Sequence, residues 1–493
     1  MRYRRQILMD SYGTSSGEPK GGRLTKVSLV NPPWALAEHF KKFENVASVQ
    51  QPLGLAYLAA GLEKNGHEVN IVDAAVLNCG NEQIVSEIRR HGPDIIGITC
   101  VTPSYQKTLS LATRLKKEFD SPILIGGPHV TAVTEETMRN HCFDIAVLGE
   151  GDFTVVQLAD TIHNNGDLSK AKGIAYRHES ELIKTPPRPY IEDLDSLPFP
   201  ARHLLPQLSN YKPTPSAYRN LPQATMITSR GCPYRCAFCD RSVFGNKYRA
   251  RTAQNVVDEM ELLITKYGAR EIRFWDDTFN IDQQRVLAIC EGILSRKFDV
   301  TWTCLGRINH MNENLLKTMA KAGCWQVDYG IESGNQGILN GIMKGQTLDM
   351  VQRVVKMTHK AGIGVRGFFM LGLPGENEST MRDTIEFAKS LDLTSAVFHI
   401  TTPFPGTELF KIATETGELR SDASYNEFML GFSEDVPYVP SGLTAQRVRD
   451  FYNAAYREFY FRPSFLVKSL WEIRNLRDVQ RYAGAFFMVN RLD

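Results

Sequence analysis

The sequence predicts an α/β protein: an N-terminal doubly wound parallel-sheet domain, a partial (β/α)6 barrel behind it, and a helical C-terminal tail. Three observations carry this expectation. Short, almost continuously apolar runs alternate with helix-period segments over residues 24–165, and strands of that kind belong to a parallel sheet covered on both faces. The alternation resumes at residue 224 with six strand–helix units, too few for a closed eight-stranded barrel. Between the two arrays, nine prolines fall between positions 186 and 222, a density that no helix or central strand tolerates.

The elements follow in chain order. Residues 1–23 form a polar arm ("SYGTSSGEPKGG") that lacks the apolar stretch of a signal peptide. The strands of the 24–165 domain are "KVSLVNPP", "EVNIVDA", "DIIGITC", "SPILIGG" and "FDIAVLGEG", five in a flavodoxin-like arrangement. Residues 166–223 hold a hairpin ("AKGIAYRHESELIKT") and the proline-rich strap. The barrel, 224–415, has strands at "TMITSRG", "EIRFWDD", "VTWTCLGR", "WQVDYGIESG", "VRGFFMLGLPGE" and "AVFHITTPFPG". In the tail, 416–493, Phe451 and Ala455, and Tyr452, Tyr456 and Tyr460, recur at i,i+4, a stripe expected to pack on the barrel. Residues 457–491 carry seven Lys/Arg against three Asp/Glu, which reads as a solvated helical face, with peripheral membrane contact as the alternative.

Composition narrows the function classes. A chain of 493 residues has room for two to four domains, and its net charge of +2 gives no electrostatic footprint for nucleic acid. No run approaches about 18 apolar residues, the length of a spanning helix. Nine cysteines, an odd number scattered along a long chain, suggest reduced thiols and a cytoplasmic setting.

Both architectures place ligands at the carboxyl ends of their strands. There the barrel array puts Cys232, Cys236 and Cys239 ("RGCPYRCAFCD") after its first strand and Asp276 and Asp277 at its second. Arg307 follows the third, Glu332 and Ser333 close the fourth, and Gly372, Pro374, Gly375 and Glu376 close the fifth. Thiolates select zinc or iron–sulfur clusters. A structural zinc needs a fourth ligand, which the neighbourhood does not supply, and a four-iron cluster on three cysteines keeps one iron open. The blander readings are buried cysteines or an incomplete zinc knuckle.

"CPYRCAFC" at the end of a first barrel strand resembles the cluster motif of the radical S-adenosylmethionine (SAM) enzymes. The resemblance implies a [4Fe–4S] cluster on Cys232, Cys236 and Cys239, whose open iron chelates SAM and whose electron splits it to methionine and a 5′-deoxyadenosyl radical. It further implies SAM contacts from Phe238 (adenine), Arg307 (carboxylate), Glu332 and Ser333 (ribose or amino-acid end), and Gly372 and Pro374 (backbone passing the adenine). Asp276 and Asp277 stand where the family places groups near the SAM amine, or else form a solvated cap. The front array resembles the cobalamin-binding domain that precedes the barrel in one subgroup. That likeness rests on "NPPW", "TCVT", "GGPHV" and "GEGD", and assigns the cofactor to Thr99, Thr102, Gly126, Gly127, Gly149, Glu150 and Gly151. The D-x-H-x-x-G motif that supplies a cobalt-ligating histidine is missing, so base-off binding without a histidine is expected; a degenerate domain with no cofactor is the other reading.

The resemblance implies an enzyme that methylates an unactivated carbon of a small-molecule or lipid intermediate. It receives its electron from a donor of flavodoxin or ferredoxin type. The subgroup also contains the anaerobic Mg-protoporphyrin monomethyl ester cyclase, so oxidative ring formation is the alternative. A tRNA methylthiotransferase would need Cys79, Cys100 and Cys142 to converge on a second cluster. Cys142 precedes the fifth strand, at the opposite sheet edge, and no basic RNA-binding domain follows. A cofactor-sensing protein would not need Arg307, "GIESG" and "GLPGE" beside the cysteine motif.

Overall fold

The computed structural model describes residues 24–33, 49–429 and 436–472, with side chains to residue 467. The N-terminal arm, Trp34 with the rest of the segment after the first strand, and the basic end of the tail lie outside the described residues. No helix among those described is long and apolar enough to cross a membrane.

The front domain is built on β1 (Lys26–Asn31), β2 (Glu68–Asp73), β3 (Ile95–Thr99), β4 (Ile123–Gly126) and β5 (Ile145–Val147), in the order β2-β1-β3-β4-β5 and all parallel. The reversal of strand order between β1 and β3 opens a crevice at their carboxyl ends, the place where such sheets bind ligands. Helices cover both faces. Val27, Leu29, Ile95 and Leu124 meet the helices Leu53–Lys64 and Asp152–His163, while Val30, Ile96, Ile98 and Ile125 face the helices Asn81–His91 and Tyr105–Glu118.

The hairpin, β6 (Ile174–His178) and β7 (Glu181–Lys184), is not part of the connector. It extends the same sheet, β6 pairing antiparallel with β5, which makes seven strands. The proline-rich strap that follows packs between the domains. Tyr211 Oη donates to Asp73 at 2.7 Å, and Arg202 donates to Gln51 at 2.6 Å and to Glu259 at 2.9 Å, all buried.

The barrel sheet runs β8 (Gln223–Met226), β11 (Glu271–Phe274), β12 (Thr301–Gly306), β13 (Cys324–Glu332), β14 (Gly364–Leu371) and β15 (Ser395–Ile400), six parallel strands paired in chain order. A short ribbon, β9 (Ser229–Arg230) with β10 (Arg249–Ala250), closes the base of the cysteine loop. The helical tail begins later than expected: helices cover Ala445–Tyr460 and Pro463–Glu472, while the described residues before them, 416–429 and 436–444, are mostly irregular. Pro437 and Pro440 deny that stretch backbone donors. The aromatic stripe does pack on the barrel edge, where Tyr456 Oη donates to Phe398 O (3.1 Å) and Tyr460 Oη to Ala396 O (2.7 Å).

Candidate active site

One cavity of about 730 Å3 is walled by both domains. From the barrel come Cys232, Tyr234, Cys236, Phe238, Cys239, Arg273, Trp275, Asp277, Arg307, Asp328, Glu332 and Lys344. From the front domain come Thr99, Gly126, Gly127, Gly149, Glu150 and Gly151. The cavity then continues as an apolar slot between the sheet and two helices, past Val27, Leu29, Leu55, Leu124 and Val155.

The cysteine loop is held in shape by its backbone. Gly231 lies at φ +81, and a Cβ there would stand 2.3 Å from Lys247 O, so only glycine lets the chain turn into the loop. Cys239 N donates to Cys236 O at 3.1 Å, and Ala237 is pinned between Ile342 O and Leu409 N. Cys236 is buried, Cys232 half-buried and Cys239 exposed to the cavity. The Cys236 thiol is held well below its ordinary value, first by a hydrogen bond with Cys239 and then by the Lys344 and Arg307 cations, against opposing burial. Thiolates stabilised by cations are the form that ligates metal. Among the described residues no three His, Cys, Asp or Glu donors converge on one ion. The three thiols line the cavity, a donor set that fits an iron–sulfur cluster.

Arg307 is fixed beside them. Its backbone exchanges two hydrogen bonds with the Asn280 side chain (2.8 and 2.9 Å), and its guanidinium lies 3.5 Å from the centre of the Tyr234 ring. It donates to Cys236 Sγ at 3.7 Å and to Lys344 O. Tyr234 is in turn bonded to His310. Glu332, at φ +70, accepts from Lys344 Nζ at 2.7 Å, and that ammonium stands 5.5 Å from the centre of the Phe238 ring. Phe238 packs on Ile338, Leu339 and Met370.

Several expected residues are placed elsewhere. Asp276 points away from the cavity, accepting from Thr228 N (2.6 Å), Thr228 Oγ1 (2.5 Å) and Ser229 Oγ (2.7 Å) beside Arg285; only Asp277 reaches the wall. Strand alternation is the reason, since Arg273, Trp275 and Asp277 share the lumen face. Ser333 is buried against Thr384 and Asn335. Gly372 sits under Val448 of the tail helix, its amide bonded to Glu376, and neither it nor Pro374 is on the wall. Thr102 is turned from the cavity to His129 Nδ1 at 3.2 Å, leaving Thr99 on it. Glu150 has a further engagement. It accepts from Arg230 (3.0 Å), Arg249 (2.8 and 2.9 Å) and Ile191 N (2.8 Å), and with Asp152 it clamps the ribbon of the cysteine loop to the front domain.

The reading of the sequence missed Lys344, Tyr234 and this clamp, whose partners are 78 to 99 residues apart with no local pattern to announce them. The other cysteine set gains no support. Cys100 is buried and pushed up to about 12 by that burial, a neutral thiol packed in the apolar core with Cys79 and Cys142 at its edge.

The front domain's walls suit a large flat ligand with an apolar arm. Gly127 has φ +110, and a Cβ there would lie 2.5 Å from Cys100 O, while a Cβ on Gly97 would lie 2.9 Å from Leu29. Close packing thus requires glycine at both positions.

Residues 226–388 match the radical SAM superfamily, and residues 43–159 match the B12 binding domain. An uncharacterized methyltransferase of Pyrococcus horikoshii is 34% identical over 454 residues, 91% of this chain and 95% of its own. The anaerobic magnesium-protoporphyrin IX monomethyl ester cyclase of Rubrivivax gelatinosus is 28% identical, over 85% of this chain and 76% of its own. Among solved structures, the radical S-adenosylmethionine methyltransferase TsrM of Kitasatospora setae, with cobalamin and a [4Fe–4S] cluster bound, shares the fold. Its TM-score is 0.70 at 19% identity, covering 95% of this chain and 99% of that one. The cavity that joins three loop thiols to a glycine-lined crevice thus has its family: the chain belongs to the cobalamin-binding radical SAM enzymes, whose cofactors are a [4Fe–4S] cluster, SAM and cobalamin.

Proposed function

We propose that the protein transfers a methyl group to an unactivated carbon of a small-molecule substrate. One observation carries the reading: the same cavity is walled by the three cluster thiols and, across it, by the Gly126–Gly127 and Gly149–Gly151 turns of the front domain. A substrate carbon between those walls would face both reagents, and holding reactants in such an arrangement is worth orders of magnitude in rate. The relative named a methyltransferase, which matches nearly end to end, supports the reading. The cyclase relative keeps ring formation as the second reading.

In this assignment Cys232, Cys236 and Cys239 hold the cluster, which supplies the electron that splits SAM, while cobalamin carries the methyl group. Arg307, locked by Asn280 and by Lys344 O, offers its guanidinium to the SAM carboxylate. Glu332 and Lys344 present a paired acceptor and donor to the ribose or amino-acid end. Phe238 offers a ring face to the adenine, and Asp277 a carboxylate to the amine. Thr99, Gly126, Gly127, Gly149 and Gly151 let the corrin approach the backbone. The apolar slot beside those turns would receive its nucleotide arm. The electron donor is of flavodoxin or ferredoxin type, and the nine free cysteines are in keeping with a cytoplasmic setting.

The test uses SAM deuterated in its methyl group, with reduced holoenzyme and a small-molecule extract of the source cells. A product carrying the labelled methyl, with S-adenosylhomocysteine and 5′-deoxyadenosine in about equal amounts, is the expected result. Accumulation of 5′-deoxyadenosine with an unmethylated, oxidised product would decide for ring formation.

A further inference from the structure

Strand alternation sorts β11 cleanly. Ile272 and Phe274 enter the apolar core beneath the helices, while Arg273 turns into the barrel lumen on the cavity wall. Across the sheet its register partners are Thr225 on β8 and Thr303 on β12. Deeper around the same lumen, Asp328 on β13 sits opposite Arg366 on β14. Asp328 accepts from Arg273 Nη2 at 2.5 Å, from Arg366 Nε at 3.0 Å and from Arg366 Nη2, and from Gln326 at 3.0 Å. One carboxylate therefore answers two guanidiniums. Glu271, one layer below, has its own partners: Arg219 N (2.8 Å), Asn220 N (2.9 Å), Gln223 Nε2 (2.7 Å) and Thr301 Oγ1 (3.0 Å).

Arg273 is left with donors to spare. It is 3% exposed, yet its Nε and Nη1 have no hydrogen-bond partner, and neither have the hydroxyls of Thr225 and Thr303 beside it. The other buried arginines of the wall differ in their terminal nitrogens, although Arg307 Nε is also without a partner. Arg230 uses both terminal nitrogens on Glu150 and Asp152, and Arg307 uses both on Cys236 and Lys344. Unpaired buried donors on a charged group are costly, so their persistence needs a reason. Trp275 lies over the guanidinium at 4.5 Å, and Phe368 on the same wall lies 5.2 Å from that of Arg366. Apolar rings beside a cation strengthen any charge pair formed there by keeping water away.

We propose that Arg273 anchors an anionic group of the substrate: a carboxylate, phosphate or phosphonate held at the lumen floor while the reacting carbon stands higher in the cavity. The inference rests on reading this cavity as the reaction chamber. It makes the substrate an acid, and it gives Arg273 a specificity-determining role distinct from the SAM contacts.

Calorimetric titration tests it on the anaerobic protein loaded with cluster, cobalamin and SAM, so that groups serving those ligands are already filled. The probes are methylphosphonate, acetate and methylammonium. Methylphosphonate or acetate should bind saturably at one site, methylammonium should not, and the better anion names the class. Arg273→Met should weaken anion binding about tenfold or more, the effect of losing charged hydrogen bonds. Arg273→Lys, which keeps the charge but not the fork, should weaken it about threefold and serves if the methionine variant does not fold. Equal uptake of anion and cation, or an unchanged affinity in a folded Arg273 variant, would overturn the proposal. Neither result bears on methyl transfer, which is read from label in the product.

Discussion

The two walls of the cavity recognise by different means. The barrel wall is crowded with function-bearing side chains: three thiols, Arg273, Arg307, Lys344, Asp277, Asp328 and Glu332. The front wall offers glycine turns and aliphatic side chains, and its two acids, Glu150 and Asp152, are committed to Arg230 and Arg249. One side therefore works by coordination and charge, where each group has a task no neighbour can take over. The other works by shape and by apolar area, at roughly 25 cal/mol per Å2 buried, so that loss is graded. Substitutions on the two sides should consequently fail in different ways.

The largest effect belongs to the barrel wall. Cys239→Ala should remove the cluster, because two remaining ligands hold it poorly, and with it essentially all 5′-deoxyadenosine formation, a loss of about a thousandfold or more. Iron and sulfide analysis should fall together with that product, while corrinoid content and the far-ultraviolet circular dichroism stay near those of the parent. Normal 5′-deoxyadenosine production by this variant would remove the assignment of the loop.

On the front wall, Gly127→Ala is the converse experiment. The residue sits at φ +110, and the added Cβ would come within 2.5 Å of Cys100 O and 3.1 Å of Cys100 N, both backbone atoms that cannot swing aside. The turn must shift, at a cost of about 1–3 kcal/mol for the backbone conformation alone. Corrinoid occupancy should drop about tenfold, whereas iron content and substrate-free SAM cleavage persist. In the parent, electron paramagnetic resonance of the cobalt(II) form should show no strong axial nitrogen coupling. Equal loss of both cofactors would mean that the two walls are one cooperative unit, and the contrast drawn above would fail.

How much of this was legible in the sequence differs between the walls for the same physical reason. Periodicity identifies strands buried on both faces, so the βα order of both domains could be read, as could the loop whose three cysteines lie within eight positions. Alternation along "EIRFWDD" also assigns faces. Residues 273, 275 and 277 share a face, which separates Asp277 from Asp276 and points Arg273 inward. Lys344 could not be found this way, because it reaches Glu332 through a turn that follows the short helix Gln336–Gly341. Gly372 and Pro374 stand off the cavity wall, where the tail helix, more than seventy residues on, packs Val448 over Gly372. Long-range packing of that kind leaves no trace in local pattern.

The smallest expected effect tests how the front wall's glycine turn is held. His129, two residues beyond Gly127, is 1% exposed; its Nδ1 lies 3.2 Å from Thr102 Oγ1, and its Nε2 has no partner. The ring packs against Tyr105 at 4.4 Å and Tyr425 at 4.7 Å, with Glu136 bonded to the Tyr425 hydroxyl beyond. Burial lowers its pKa to about 4, from an ordinary 6.5, so the folded protein holds the imidazole neutral. Below 6.5 the unfolded chain takes up a proton that the folded one refuses. Stability from this residue is therefore full above about pH 6.5 and is lost as pH falls toward 4, by about 2 kcal/mol at pH 5. His67, His91 and His310 are also lowered by burial, so the parent's total acid sensitivity is a sum. His129→Phe keeps an aromatic ring among the tyrosines without the titration. Between pH 7 and pH 5, urea denaturation should therefore show the parent losing about 2 kcal/mol more than the variant. Parallel losses in the two proteins would mean that the glycine turn of the front wall is not held by a neutral, dry histidine.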